Sequence, residues 1–263
     1  MSALLNLPEA LLARGEEYIR LGRDREALQL FHKLLRFGRL PAAVAITAQV
    51  QLARLYLRRQ KYAAARRQMQ SALARRPACA EFHHLMATIL DEDSDGDPDR
   101  ALAHYRRAVE LDPDNPAYHH DCGLCLLALG ATAEGLSHLA RAAALAPDEL
   151  GYARSLAFGH LDSEQPTAAR RTALAALFRR PGDSEARKLW ADVLFHIARR
   201  RQQSQRGEPV APGPRAVLLP FLRLQDRPPR KPRDAAAKVV RIDPASPPPS
   251  PHLPRPVRRR QSQ

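Results

Sequence analysis

Small and large apolar residues return along this chain at fixed intervals. Ala101, Tyr105, Ala108 and Pro113 are followed 34 residues later by Gly135, Leu139, Ala142 and Pro147, with the same internal spacings of 4, 3 and 5. Between the two sets lie Cys122, Gly123 and Leu126, a large-small-large pattern on one face of a helix. Spacings of three and four predict helices, and the prolines mark where those helices stop. Self-similarity at this period predicts a stack of helix–turn–helix units rather than a single globular core.

The same pattern divides the chain. Residues 8–40 form a first unit, with Gly15 and Tyr18 on one helix, Gly22 at the turn, and Ala27, Phe31 and Leu34 on the next. Residues 41–79 form a second, in which Leu52, Ala53 and Tyr56 precede Ala65, Met69 and Ala72. The step from Ala27 to Ala65 is 38 residues, so one long helix from Pro41 to Arg59 is expected to absorb an extra turn. Residues 80–115, 116–149 and 150–183 form three more units, the last carrying Leu156, Ala157, His160, Ala169 and Ala176. Residues 183–205 read as a lone capping helix on which Trp190, Ala191 and Leu194 take the large-small-large positions. Asp97-Pro98 and Asn115-Pro116 read as an N-cap followed by the first helical residue.

These residues, and the Ala27-x3-Phe31 spacing in particular, resemble the tetratricopeptide repeat family. The resemblance implies an all-α, right-handed superhelical α-solenoid with a concave groove lined by the first helix of each unit. It also implies which positions face that groove. The fifth positions are Leu12, Val50, His84, His120, Arg154 and Lys188, and the ninth are Glu16, Arg54, Thr88, Leu124, Phe158 and Asp192. The candidate partner-binding residues are therefore Arg54, His84, Thr88, His120, Leu124, Arg154, Phe158 and Lys188. Four consecutive fifth positions are basic or potentially basic, a ladder suited to an extended ligand bearing carboxylates. The carboxylate-clamp variety of the family needs Lys and Asn at the fifth and ninth positions of one unit. Here His84 stands with Thr88 and His120 with Leu124, so chaperone C-termini are not expected ligands.

Composition changes the picture mainly at the C-terminal end. The chain carries a formal net charge of +14, and residues 206–263 hold 13 Lys/Arg against 4 Asp/Glu. Fourteen of the 23 prolines lie in those last 58 residues. Such a segment buries too little apolar area to offset the entropy of ordering it, so a disordered basic tail is expected. No apolar run approaches the ~20 residues a membrane span needs. The N-terminal sequence lacks a basic n-region, and three cysteines are too few for a disulfide framework, so a cytoplasmic location is expected.

Three motifs carry potential chemistry, and each has a plainer reading. Cys122-x-x-Cys125 follows His119 and His120, but Cys122 falls well inside a helix, where a redox dithiol or a converging zinc site is poorly placed. Buried structural cysteines are expected instead. The loop Asp91-x-Asp93-x-Asp95-Gly96 opens like a calcium-binding loop, yet Leu102 stands where the bidentate Glu is required. An acidic capping turn is the better reading. His83 and His84 align with His119 and His120, stacked residues that could sense pH but that helices also tolerate. No phosphate-cradling loop and no convincing catalytic triad stand out, so no metal, no cofactor and no enzymatic activity are expected. The expectation is a noncatalytic scaffold holding a partner peptide or helix, with the tail adding electrostatic contacts. The alternative is an adaptor whose tail binds nucleic acid or an anionic membrane surface.

Overall fold

The computed structural model describes residues 7–38 and 40–206, and among these it contains eleven α-helices and no strand. They run α1 (Leu7–Arg20), α2 (Asp24–Leu35), α3 (Ala42–Arg58), α4 (Tyr62–Arg75), α5 (Ala80–Glu92), α6 (Pro98–Leu111), α7 (Pro116–Ala128), α8 (Thr132–Leu145), α9 (Leu150–Asp162), α10 (Pro166–Arg179) and α11 (Ser184–Gln205). Successive helices pack in pairs, α1 with α2 through α9 with α10. Each second helix also packs on the first helix of the following pair, and α11 closes the series. The result is an all-α solenoid of helix–turn–helix repeats. The expected tail lies outside the described residues. No described helix is long and apolar enough to cross a membrane.

Turn chemistry repeats with the units. At the turn inside a unit, one amide reaches back three residues and the next reaches back five: Gly22 to Ile19 and Arg23 to Tyr18, then Gly130 to Leu127 and Ala131 to Leu126. Gln60 with Lys61 and Glu164 with Gln165 repeat the arrangement. This pairing satisfies the last helical carbonyls but drives one residue into the left-handed region. Gly22 (φ 71°) and Gly130 (φ 83°) adopt it freely, whereas Gln60 (φ 56°) and Glu164 (φ 57°) adopt it at a cost. Elsewhere side chains cap the helices, inside the third unit at Asp97 and between units at Asn115 and Asp183. Asp97 accepts from the amides of Asp99 and Arg100, Asn115 from Ala117 and Asp183 from Glu185. Pro98, Pro116 and Pro166 each open a helix. Pro41 does not: it is the N-cap of α3, extended at ψ 135°, with the helix beginning one residue later.

The core is a chain of junctions rather than one centre. Phe31, Leu34, Leu52 and Leu55 fill the first junction, and Met69, Met86 and Ile89 the next. Tyr105, Cys122, Cys125 and Leu126 follow, then Leu139, Phe158, Leu161 and Leu189. Helices of a unit meet where side chains vanish. A Cβ on Gly123 would lie 2.9 Å from the carbonyl oxygen of Gly135, and a Cβ on Gly135 would lie 2.9 Å from that of Gly123. The two backbones are in contact. At Gly15 the occupant is a ring instead, since a Cβ there would sit 2.4 Å from Phe31 Cε1.

The capping helix departs from expectation. Its buried face is Ala186, Leu189 and Val193, not Ala191 and Leu194. Ala191 is exposed and Leu194 is 38% exposed, while the equivalent Ala157, Gly123 and Leu126 are buried. In the earlier units that stripe faces the unit's own second helix. Among the described residues α11 has no such partner, so it buries only the face turned toward α9 and α10.

Two substitutions of opposite sign test this account of the fold. Gly123→Ala is expected to cost about 1–3 kcal/mol, because the Gly135 carbonyl as well as the buried Leu139 side chain must give way. Glu164→Gly is expected to add about 1 kcal/mol by relieving the left-handed turn. Urea unfolding of both variants against the parent chain reads both values.

Candidate interaction face

The first helices α3, α5, α7, α9 and α11 present a common face, and the expected ladder of basic residues lies along it. Three of its rungs, His84, His120 and Arg154, are tied to the next unit, and so is Arg54, a ninth-position residue outside the ladder. Arg54 of α3 pairs with Glu81 of α5. His84 of α5 reaches Asp121 of α7 through Nε2, 2.7 Å from Oδ2. His120 of α7 holds the other oxygen of Asp121 through Nδ1 at 2.8 Å and meets Ser155 Oγ of α9 through Nε2 at 2.9 Å. Arg154 of α9 pairs with Glu185 of α11 at 2.8 Å. Three of the four rungs are therefore partnered from within. Lys188, the last rung, stands exposed.

Asp121 is the central joint. Burial works against its charge, but hydrogen bonds from His120 and His84 outweigh burial and hold its carboxyl at about 2. Because the carboxylate can only accept, both imidazoles donate to it. In the neutral His120 ring, Nε2 is then left to accept from the Ser155 hydroxyl. Ser155, His120 and Asp121 thus line up as nucleophile, base and acid do in a hydrolase, an arrangement that sequence reading missed. Ser155 lies in the middle of α9, where the neighbouring backbone amides are committed to the helix. An oxyanion hole needs free donors beside the nucleophile, and this setting supplies none from its own turn. The trio links two units, and His84, bonded to Asp121, extends the network to a third.

Two expected groove residues serve packing instead. Leu124 is 4% exposed and Phe158 is 1% exposed, both within the last core junction. Four residues advance an α-helix by about 400°, so Leu124 and Phe158 stand about 40° round from His120 and Arg154, on the side turned into the core. Thr88 is half-buried, and its hydroxyl donates to the His84 carbonyl at 3.0 Å. Sequence reading passed over the face's own aromatics. Tyr118 lies against the His84 ring at 4.9 Å between centroids, and Tyr152 against His120 at 5.1 Å. Both rings are half-buried. A signal existed: each Tyr stands two residues before a fifth position. So did one for the acids, since Glu81 and Glu185 each stand three residues before one.

The neighbouring histidines look the other way. His83 Nε2 meets the Pro77 carbonyl at 2.9 Å, while its Nδ1 lies 2.9 Å from Nδ1 of His104 on α6. His119 repeats the geometry with the Pro113 carbonyl at 3.0 Å and His138 of α8 at 3.0 Å. Carbonyls fix the Nε2 proton, so Nδ1 of His83 and His119 accepts and the partner donates. Two protonated rings cannot share that contact, since neither Nδ1 could then accept. Burial lowers the pKa of His104 and His138, and the facing His83 and His119 lower it further.

The remaining motifs are structural. Cys122 and Cys125 are 0% and 1% exposed, and burial pushes the Cys122 thiol up to about 12 and that of Cys125 higher still. Neither is a thiolate at neutral pH. In the acidic loop, Asp93 pairs with Arg66 and accepts from the amide of Asp95, while Asp97 caps α6. A Cβ on Gly96 would strike the Leu90 carbonyl oxygen.

Two tests follow from the polar contacts. Asp121→Ala leaves the half-buried His84 and the buried His120 without their acceptor and is expected to cost about 1–3 kcal/mol, read by urea unfolding. The histidine pairs carry a pH signature. A histidine whose folded pKa is lowered favours the fold above its unfolded pKa of 6.5, and that contribution is lost as pH falls below it. The melting temperature should therefore decline between pH 7 and about 5. His104→Gln combined with His138→Gln should flatten the decline in a thermal melt series.

Family models and solved structures agree on the kind of unit. A model described as "TPR repeat" matches residues 94–130, and one described as "Tetratricopeptide repeat" matches residues 50–93. No curated protein matches the chain. Among solved structures, TTC0263, a thermophilic TPR protein of Thermus thermophilus, is 23% identical with a TM-score of 0.52, covering 72% of this chain and 99% of that one. YrrB, described as a TPR protein with an unusual peptide-binding site, is 20% identical with a TM-score of 0.54, covering 67% and 88%. MamA from Desulfovibrio magneticus RS-1 is 18% identical with a TM-score of 0.58, covering 67% and 97%. At these identities the likeness is one of fold.

Proposed function

We propose that this tetratricopeptide-repeat protein is a noncatalytic scaffold that holds a peptide or helix of a partner protein on the face of its first helices. The observation that carries the reading is the row of half-buried Tyr118 and Tyr152 beside the paired polar rungs. Tyrosine offers large contact area with few rotamers to freeze, and such rings dominate the energy of protein interfaces. The ion pairs shape what can bind. Arg54 with Glu81 and Arg154 with Glu185 are exposed enough to exchange partners, and exposed ion pairs are worth only about 0–1 kcal/mol. A ligand carboxylate can take over Arg154 while Lys188 supplies a second cation. His84 and His120 stay engaged with Asp121 and act by holding Tyr118 and Tyr152 in place.

The neighbour with a described peptide-binding site, YrrB, supports this class of ligand by fold alone. A cytoplasmic setting belongs to the same proposal, and three free thiols fit a reducing compartment. The test is affinity capture with mass spectrometry, using the full chain and a Tyr152→Ser, Lys188→Glu variant. Loss of the same partners from the variant, with an unchanged helical circular dichroism spectrum, is the expected outcome. Equal recovery of every partner by both proteins overturns the assignment.

A further inference from the structure

Charge is not spread along the array. Residues 1–165 hold 20 Lys/Arg and 21 Asp/Glu, whereas residues 166–205, which are α10, α11 and the turn between them, hold nine and three. The helical array is neutral until its last two helices and strongly basic there.

The same two helices enclose the open trough at the end of the stack. It has a volume of about 590 Å³, with Leu174 of α10 and Leu194 and Ile197 of α11 among its apolar lining. Arg170, Arg171 and Arg201 border it. All three arginines are exposed, and none has an ion-pair partner among the described residues, in contrast to Arg54, Arg58, Arg66, Arg106, Arg141 and Arg154. Leu194 and Ala191 belong to the stripe that, in earlier units, faces the unit's second helix. The trough is where a sixth second helix would lie.

We propose that this trough docks an acidic amphipathic helix of a partner protein, seated as the missing second helix of the last unit. Its apolar stripe would cover Leu174, Leu194 and Ile197, and its flanking carboxylates would meet Arg170, Arg171 and Arg201. Charge decides among possible occupants. Residues 207–220 of the chain itself carry four prolines and one Arg against one Glu, so they offer neither an uninterrupted helix nor the needed negative charge. A second copy would bring the same nine cations against the same trough. This surface is separate from the tyrosine-bearing face, and each can fail without the other.

The experiment uses the full chain and three fluorescein-labelled peptides read by anisotropy. The first is an 18-residue helix with Leu on one stripe and Glu on both flanks. The second has the same stripe with Lys on the flanks, and the third is residues 216–224 of this chain. The expected result is saturable binding of the Glu peptide and at least about tenfold weaker binding of the Lys peptide. Leu194→Glu and the Arg170→Glu, Arg201→Glu pair should each weaken the Glu peptide by a similar factor, while Tyr152→Ser leaves it unchanged. Equal binding of the Glu and Lys peptides overturns the proposal, as does a Glu peptide that fails to bind. Tight binding of the 216–224 peptide that Leu194→Glu abolishes would assign the trough to the chain's own tail and overturn it as well. Concentration-dependent dimers in sedimentation velocity that Leu194→Glu dissolves would assign it to a second copy, with the same consequence.

Discussion

No pair of helices in this chain can cover its own apolar surface, and everything else in the structure answers to that constraint. A unit of two short helices has a stripe on each side, so stability accumulates only as units are added, each junction contributing a separate term. The junctions work because paired helices come close enough for backbones to touch, as Gly123 and Gly135 do. Close approach leaves the larger residues one place to go, which is the gap between neighbouring units. Phe31, Met69, Tyr105 and Leu139 occupy equivalent positions there and are all buried. A side chain added at the crossing is therefore felt twice, within its own unit and at the next.

Polar contacts divide the labour between neighbouring residues. His83 and His84 are adjacent in sequence but point about 100° apart on the helix, and the same holds for His119 and His120. The first of each pair ties its helix to the preceding turn and to its own partner helix. The second ties it to the following unit through Asp121 or Ser155. One dipeptide thus fixes both the internal geometry of a unit and its angle to the next. Apolar burial is non-directional and leaves that angle loosely determined, whereas a carboxylate gripped by two imidazoles does not.

How much of this was legible in the sequence follows from the range of each contact. The period, the helix pairs, the caps at Asp97 and Asn115 and the burial of Cys122 and Cys125 are local or periodic properties, and spacing alone reveals them. The contacts along the face are not local. Arg54 meets Glu81 across 27 residues and His84 meets Asp121 across 37, so the offset changes as turns lengthen. Only the twist between units decides which side chains meet. The same limit explains Leu124 and Phe158, which a fixed position rule puts on the face and the actual helix rotation turns inward. It explains Leu194 too, because the periodic pattern assumes a neighbour that α11 does not have among the described residues.

The two surfaces left to solvent differ in the physics by which each can attract a partner. Along the first-helix face the charges from Arg54 to Arg154 are already paired and Lys188 alone of the ladder is not, so little long-range field extends from it, and recognition there rests mainly on contact with the tyrosine rings. A ligand gains only the difference between its own ion pairs and those it displaces, which favours shape over charge. At the end of the stack Arg170, Arg171 and Arg201 are exposed and have no ion-pair partner among the described residues, and their field reaches about 8–10 Å at moderate ionic strength. Encounter at that end should quicken for acidic partners and slow as salt is added, while binding on the tyrosine face should respond weakly. Salt dependence therefore separates the two surfaces even before a partner is known, because paired charges and bare ones cannot behave alike in it.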